Sequence, residues 1–157
     1  MKRTEEDQLV LKNKLNFFLK GNVEAINLCL KLVYVAHLWD DLIDGDPRPA
    51  KDINAAFIIC LIDLPSNVFF LENMSILQPI MLNTILKWLD SNELDRGSVH
   101  DRQLAFVHRA GICELFNICA TIIGGMEWAI KHGPDMRRMY EEDFSEYFNE
   151  MKEKYDA

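Results

Sequence analysis

Glycine and proline are scarce in this 157-residue chain, at 7 and 5 residues. So few breakers argue against many short strands joined by tight turns and favour long helices. The sequence also lacks any Cys-x-x-C pair. Its four cysteines stand at positions 29, 60, 113 and 119, three of them inside strongly apolar runs. They read as small buried hydrophobes of a reducing compartment, not as a disulfide framework or a zinc site. Basic residues are few, 17 against 25 acidic ones, for a net charge of -8. An acidic surface repels the phosphate backbone, so nucleic acid is not an expected partner. The nearest basic pair, Arg137-Arg138, stands beside Glu141, Glu142 and Asp143 and reads as a solvated helix start. No apolar run follows the charged stretch Met1 to Gln8, which predicts no signal peptide. The longest apolar stretches are broken by polar residues, which predicts no membrane span and a cytoplasmic location. A glycine-rich phosphate loop and a nucleophile elbow are likewise missing.

What is present is a chain rich in apolar residues, 49% hydrophobic and 27% charged, enough to pack a core. The pattern predicts one all-α domain over residues 1–157, a bundle of about six helices with two central apolar ones. The first helix covers 5–20, with Leu9, Leu15, Phe18 and Leu19 as its stripe and Gly21 as its stop. Asn22 caps the second, 23–44, which is apolar on most sides. Gly45-Asp46-Pro47-Arg48-Pro49 ends it sharply. A third helix is expected over 52–63 and a fourth over 74–89, with Pro79 in its first turn. The stretch 90–97 reads as a polar connection. Ser98 and Asp101 form a capping box for a long fifth helix reaching Lys131, with a kink at Gly124-Gly125. Gly133-Pro134 ends that helix. A final amphipathic helix over 134–155 carries Met136, Tyr140, Phe144, Tyr147, Phe148 and Met151 on one side. Six such residues are more than one domain readily covers, so this stripe is also a candidate for self-association.

The most informative segment lies at the end of the second helix. Ile26, Leu30, Val33, His37, Asp40, Asp41 and Asp44 share an arc of roughly 100°. The stripe is apolar for two turns and then acidic. Crowded carboxylates repel one another, burial raises their pKa, and a helix C-terminus disfavours anions. Water, an arginine or a hard divalent cation would offset this. Mg²⁺ takes one or two protein carboxylates and shares oxygens with a bound phosphate, and Asp40 or Asp41 with Asp44 has suitable i, i+3 or i+4 spacing. Ordinary helix-end chemistry fits the same residues, as does pairing with an arginine.

Asp40-Asp41-Leu42-Ile43-Asp44 resembles the DDxxD motif of class I terpenoid synthases. The resemblance implies an all-α fold whose aspartates hold Mg²⁺ against a diphosphate. The family's second metal motif, Asn-x-x-x-Ser/Thr-x-x-x-Glu, is matched by Asn117 and Thr121, but Gly125 stands where the glutamate belongs. The chain is also shorter than those enzymes. The string from Val35 to Asp46, with Ile122-Ile123-Gly124-Gly125, is similar to small uncharacterised proteins of tailed bacteriophages. That likeness implies a phage product acting in the bacterial host cytoplasm or in the particle, without implying a mechanism.

Two functional expectations follow. One is a non-enzymatic phage accessory protein that binds a host protein or assembles with itself. The alternative is a Mg²⁺-dependent enzyme or binder of a phosphorylated small molecule. Asp40, Asp41 and Asp44 would hold the metal, and His37, Arg109, Glu114 and Asn117 would face the ligand. Arg109, set among apolar residues, suits either a phosphate grip or a role at the edge of the core. His100-Asp101 as part of a metal phosphohydrolase, and Glu142 with Glu146 as half of a helical pyrophosphatase, are weaker patterns.

Overall fold

The computed structural model describes residues 5–140 and 142–156. Residues 1–4 and 157, and Glu141 beside the basic pair, lie outside the described residues. Among those described, every regular element is helical. In order they are α1 (Glu5–Phe18), α2 (Val23–Asp44), α3 (Ala50–Ile58), a π-helical turn (Ile59–Asp63), the short α4 (Leu64–Ser66), α5 (Val68–Leu94), α6 (Val99–Arg109), α7 (Ile112–Gly124), α8 (Met126–Arg137) and α9 (Phe144–Tyr155). The all-α expectation holds, with more helices than the six expected. The chain gathers into two compact units, residues 1–74 and 75–157.

In the first unit, α1 packs on α2, and α2 meets α3 and the π-helical turn. Leu11, Leu15, Phe18 and Leu19 are buried, as are Ala25, Ile26, Leu28, Cys29, Val33 and Leu38. The Asn22 side chain accepts from the Ala25 amide at 3.0 Å and so starts α2 as its capping chemistry demands. Gly45, at φ 79°, closes the other end in the left-handed conformation. Asn67 is buried and fully used. Its amide donates to the Glu24 carbonyl at 3.0 Å and to the Glu24 carboxylate at 2.9 Å, while its oxygen accepts from the Phe70 amide at 2.8 Å. The expected third helix is thus replaced by α3, a wide π turn and α4. Pro65 explains the change, since it cannot donate back along a regular helix. No residue of α3 is buried.

The expected fourth helix, 74–89, is the part of α5 beyond a break at Asn73, and it runs on to Leu94. The α5 backbone leaves helical geometry at Asn73 (φ -119°, ψ 15°), where the Asn73 amide donates to the Phe69 carbonyl at 2.8 Å. Pro79 lies within the helix, beyond that kink.

In the second unit, α7 packs on α8 and α6 on α9. Ala105, Tyr147 and Met151 form a buried cluster, flanked by Leu94, Phe106, Phe144 and Tyr155. Phe106 makes edge-on ring contacts with Tyr140 and Phe144, at 5.8 and 5.3 Å between centroids. The Ser98–Asp101 capping box is present in both directions.

The expected fifth helix is three helices, α6, α7 and α8. It breaks at Ala110-Gly111 and again at Gly125, whose φ of 80° and ψ of 173° are open to glycine alone. Pro134 does not end a helix but sits inside α8, and α9 begins only at Phe144, capped by Asp143. Met136 therefore belongs to α8 and Tyr140 to the link. The aromatic stripe is largely consumed within the unit: Met136, Tyr147 and Met151 are buried, and Tyr140, Phe144 and Phe148 half-buried.

By length and composition, Val99–Gly124 passes for a membrane-crossing stretch, as does the bent pair Ala50–Ser66 with Val68–Leu94. Within the first stretch, however, Arg102 and Arg109 both form ion pairs inside the second unit.

Candidate functional site

The face of α2 leaves the core as it turns acidic. Ile26 and Val33 are buried, Leu30 is half-buried, Asp40 and Asp41 are half-buried, and His37 and Asp44 are exposed. The carboxylate of Asp41 is gripped by the guanidinium of Arg48 across the turn that ends the helix. Both side chains are mostly covered, 20% exposed for Arg48 and 13% for Asp41. An arginine thus supplies the compensation that the acidic stripe requires. Pro47 and Pro49 flank this arginine and restrict its backbone.

Asp41 is committed to Arg48, and among the described residues no three His, Cys, Asp or Glu side chains come together to hold an ion. The residues expected on the ligand side have their own engagements. Arg109 bonds Asp95 at 2.7 Å and the Asn92 side chain at 3.0 Å. Glu114 receives Lys87 at 2.5 Å. Asn117 packs toward α8, its amide nitrogen 3.4 Å from where a Cβ on Gly133 would stand. All of these contacts fall within the second unit. Of the seven expected site residues, the three aspartates and His37 share α2.

His37 also lines a cleft of about 650 Å³ in the first unit. One wall is α1, with Gln8, Leu9, Leu11 and Lys12. The other is α2, with Leu30, Lys31, Val33, Tyr34, His37 and Leu38. Arg48, Asp52 and Ile59 close the end. Three cations and one carboxylate therefore face a space with an apolar floor. The Tyr34 hydroxyl donates to the Asp52 carbonyl at 3.4 Å. Burial raises its pKa, the Asp52 charge adds to this and Arg48 opposes it, so the phenol stays neutral. Lys31 bonds Asp63 at 2.7 Å. Lys12 has no ion pair among the described residues.

Sequence reasoning missed a second polar centre, around Asp95. This carboxylate is fully buried, receives the Tyr147 hydroxyl on one oxygen, and pairs with Arg109 on the other. Arg102, itself buried, donates to the Asp95 carbonyl at 2.9 Å and binds both oxygens of Asp156, at 3.0 and 2.5 Å. Asp95-Arg96-Gly97-Ser98 reads locally as a turn, and nothing near it in sequence signals burial. Its partners lie 14 and 52 residues away. Such a connected set of charge-assisted bonds orders a core.

No family model, curated protein or solved structure matches the chain.

Proposed function

We propose that the protein is a non-enzymatic accessory protein of a bacteriophage, working by docking onto another protein through apolar surface. The phage origin rests on the sequence resemblance alone, and the observation that supports the docking role is the face presented by α3 and the turn after it. Phe57, Ile58, Leu61 and Ile62 are 64, 56, 65 and 60% exposed, four large apolar residues within six positions. Large apolar residues exposed so close together in the chain favour an interaction surface. On α5, Leu82, Ile85, Leu86 and Leu89 are exposed at i, i+3, i+4 and i+7, the spacing of a helix-pairing stripe. Either a second copy or a host protein suits these faces.

Sedimentation velocity tests the self-assembly form. The wild-type chain should sediment as a concentration-dependent oligomer, and Phe57→Ser/Leu61→Ser should move it toward monomer. If it is monomeric, crosslinking in host extract is the corresponding test. A wild-type monomer that captures nothing the double variant fails to capture removes the docking role.

The alternative, Mg²⁺-dependent binding of a phosphorylated small molecule, draws support from Asp40, Asp41 and Asp44 falling within the last turns of α2. It requires Arg48 to release Asp41.

A further inference from the structure

We propose that the cleft between α1, α2 and α3 is a binding site for a small amphipathic anion, a carboxylate or phosphate monoester carried on a hydrocarbon body. This site needs no metal and is independent of the docking role.

Its charge is the first support. The chain as a whole carries a net charge of -8. Yet Lys12, Lys31 and Arg48 face the cleft against the single carboxylate of Asp52. Two of these cations already have counterions, Arg48 in Asp41 and Lys31 in Asp63, which leaves Lys12 as the charge at the cleft that a ligand anion would meet. Arg48 is held in place by Asp41. Lys12, without a partner among the described residues, is the cation ready for a ligand. Lys31 is more than one-third exposed in its bond to Asp63, so a ligand oxygen can take the place of Asp63 at little loss.

The floor is the second support. Leu11, Val33 and Leu38 are 8, 8 and 5% exposed and meet the cleft from two helices. A purely inorganic anion would leave that surface wet. The volume of about 650 Å³ lies in the ordinary range for small-molecule sites. The neutral Tyr34 hydroxyl and His37 add polar groups near the cationic end.

Isothermal titration with the full chain in EDTA decides the matter. Dodecanoate and dodecyl phosphate, each below its micellar concentration, separate the two head groups. Dodecanol lacks the charge and pyrophosphate lacks the tail. At least one of the charged amphiphiles should bind saturably at one per chain, with the two controls weaker by about tenfold or more. Lys12→Glu and Leu9→Gln change exposed residues on the cleft wall, so circular dichroism should find both folded. Each should weaken amphiphile binding, Lys12→Glu by about tenfold or more. Absence of saturable binding by both amphiphiles, equal binding of dodecanol, or affinity unchanged in Lys12→Glu overturns the proposal.

Discussion

Arg48, four residues past the end of α2, binds the carboxylate of Asp41 within it. The pair joins the helix to the start of α3 and neutralises one of the charges that the helix dipole disfavours. Removing either partner leaves the other charge poorly compensated. A double-mutant cycle with Arg48→Ala and Asp41→Ala, followed by urea unfolding, should give a coupling of about 1–2 kcal/mol. A coupling near zero would make the contact incidental.

The same pair sets an expectation for metals. Thermal unfolding in EDTA, in excess Mg²⁺ or Mn²⁺, and with added pyrophosphate should give one midpoint for the wild-type chain. A ligand that binds only the folded form must raise it. A metal-dependent rise that disappears in Asp41→Ala would mark the aspartates as a metal site.

Asp95 is the most exacting position in the second unit. Asp95→Ala leaves the Arg109 charge and the Tyr147 hydroxyl without their acceptor, and should cost about 3–5 kcal/mol. Tyr147→Phe removes one hydrogen bond to a buried carboxylate and should cost about 1–3 kcal/mol. Chemical denaturation orders the two variants. Equal stability of Asp95→Ala and wild type would show that the network contributes nothing net.

Titration should show two limbs. Hydrogen bonding to Arg102 holds Asp156 below its ordinary value of 3.8. A depressed carboxylate stabilises the fold above that value, and its contribution is lost as pH falls through the depressed pKa. Asp156→Asn should therefore flatten the acid limb. Burial, then a carboxylate acceptor, raises Tyr140 and Tyr147 above their ordinary value of 10.0. Above that pH the unfolded chain sheds these protons while the folded chain keeps them, so stability must fall. Tyr147→Phe should lessen that alkaline slope; a slope identical to wild type would contradict the assignment.

Gly124 and Gly125 make different demands. Gly125 occupies backbone space closed to other residues, and Gly125→Ala should cost about 1–3 kcal/mol. At Gly124 a Cβ would collide with the Trp128 side chain, so Gly124→Ala should also destabilise, here by overpacking. Melting temperatures of the two single variants test both, and tolerance of alanine at 125 would mean that the break between α7 and α8 adjusts freely.

Much of this was legible locally. Asn22, Gly45 and the Ser98–Asp101 box mark helix ends through contacts spanning only a few residues, so the sequence alone determines them. The all-α class follows from helical periodicity and few breakers. The long fifth helix was misread because apolar periodicity continues through Ala110 and Gly125, whereas packing of α7 on α8 demands a break. The partner of Arg109 was illegible for another reason. An arginine among apolar residues announces that it needs an acceptor, but Asp95 is brought to it only when α5, α6 and α9 pack together. The cleft around Lys12, Lys31 and Arg48 likewise needs packing, here of the consecutive helices α1, α2 and α3. Short-range sterics and hydrogen bonding settle where helices begin and end. Which charges meet, and which are left facing open space, is decided only once the core has fixed the helices against one another.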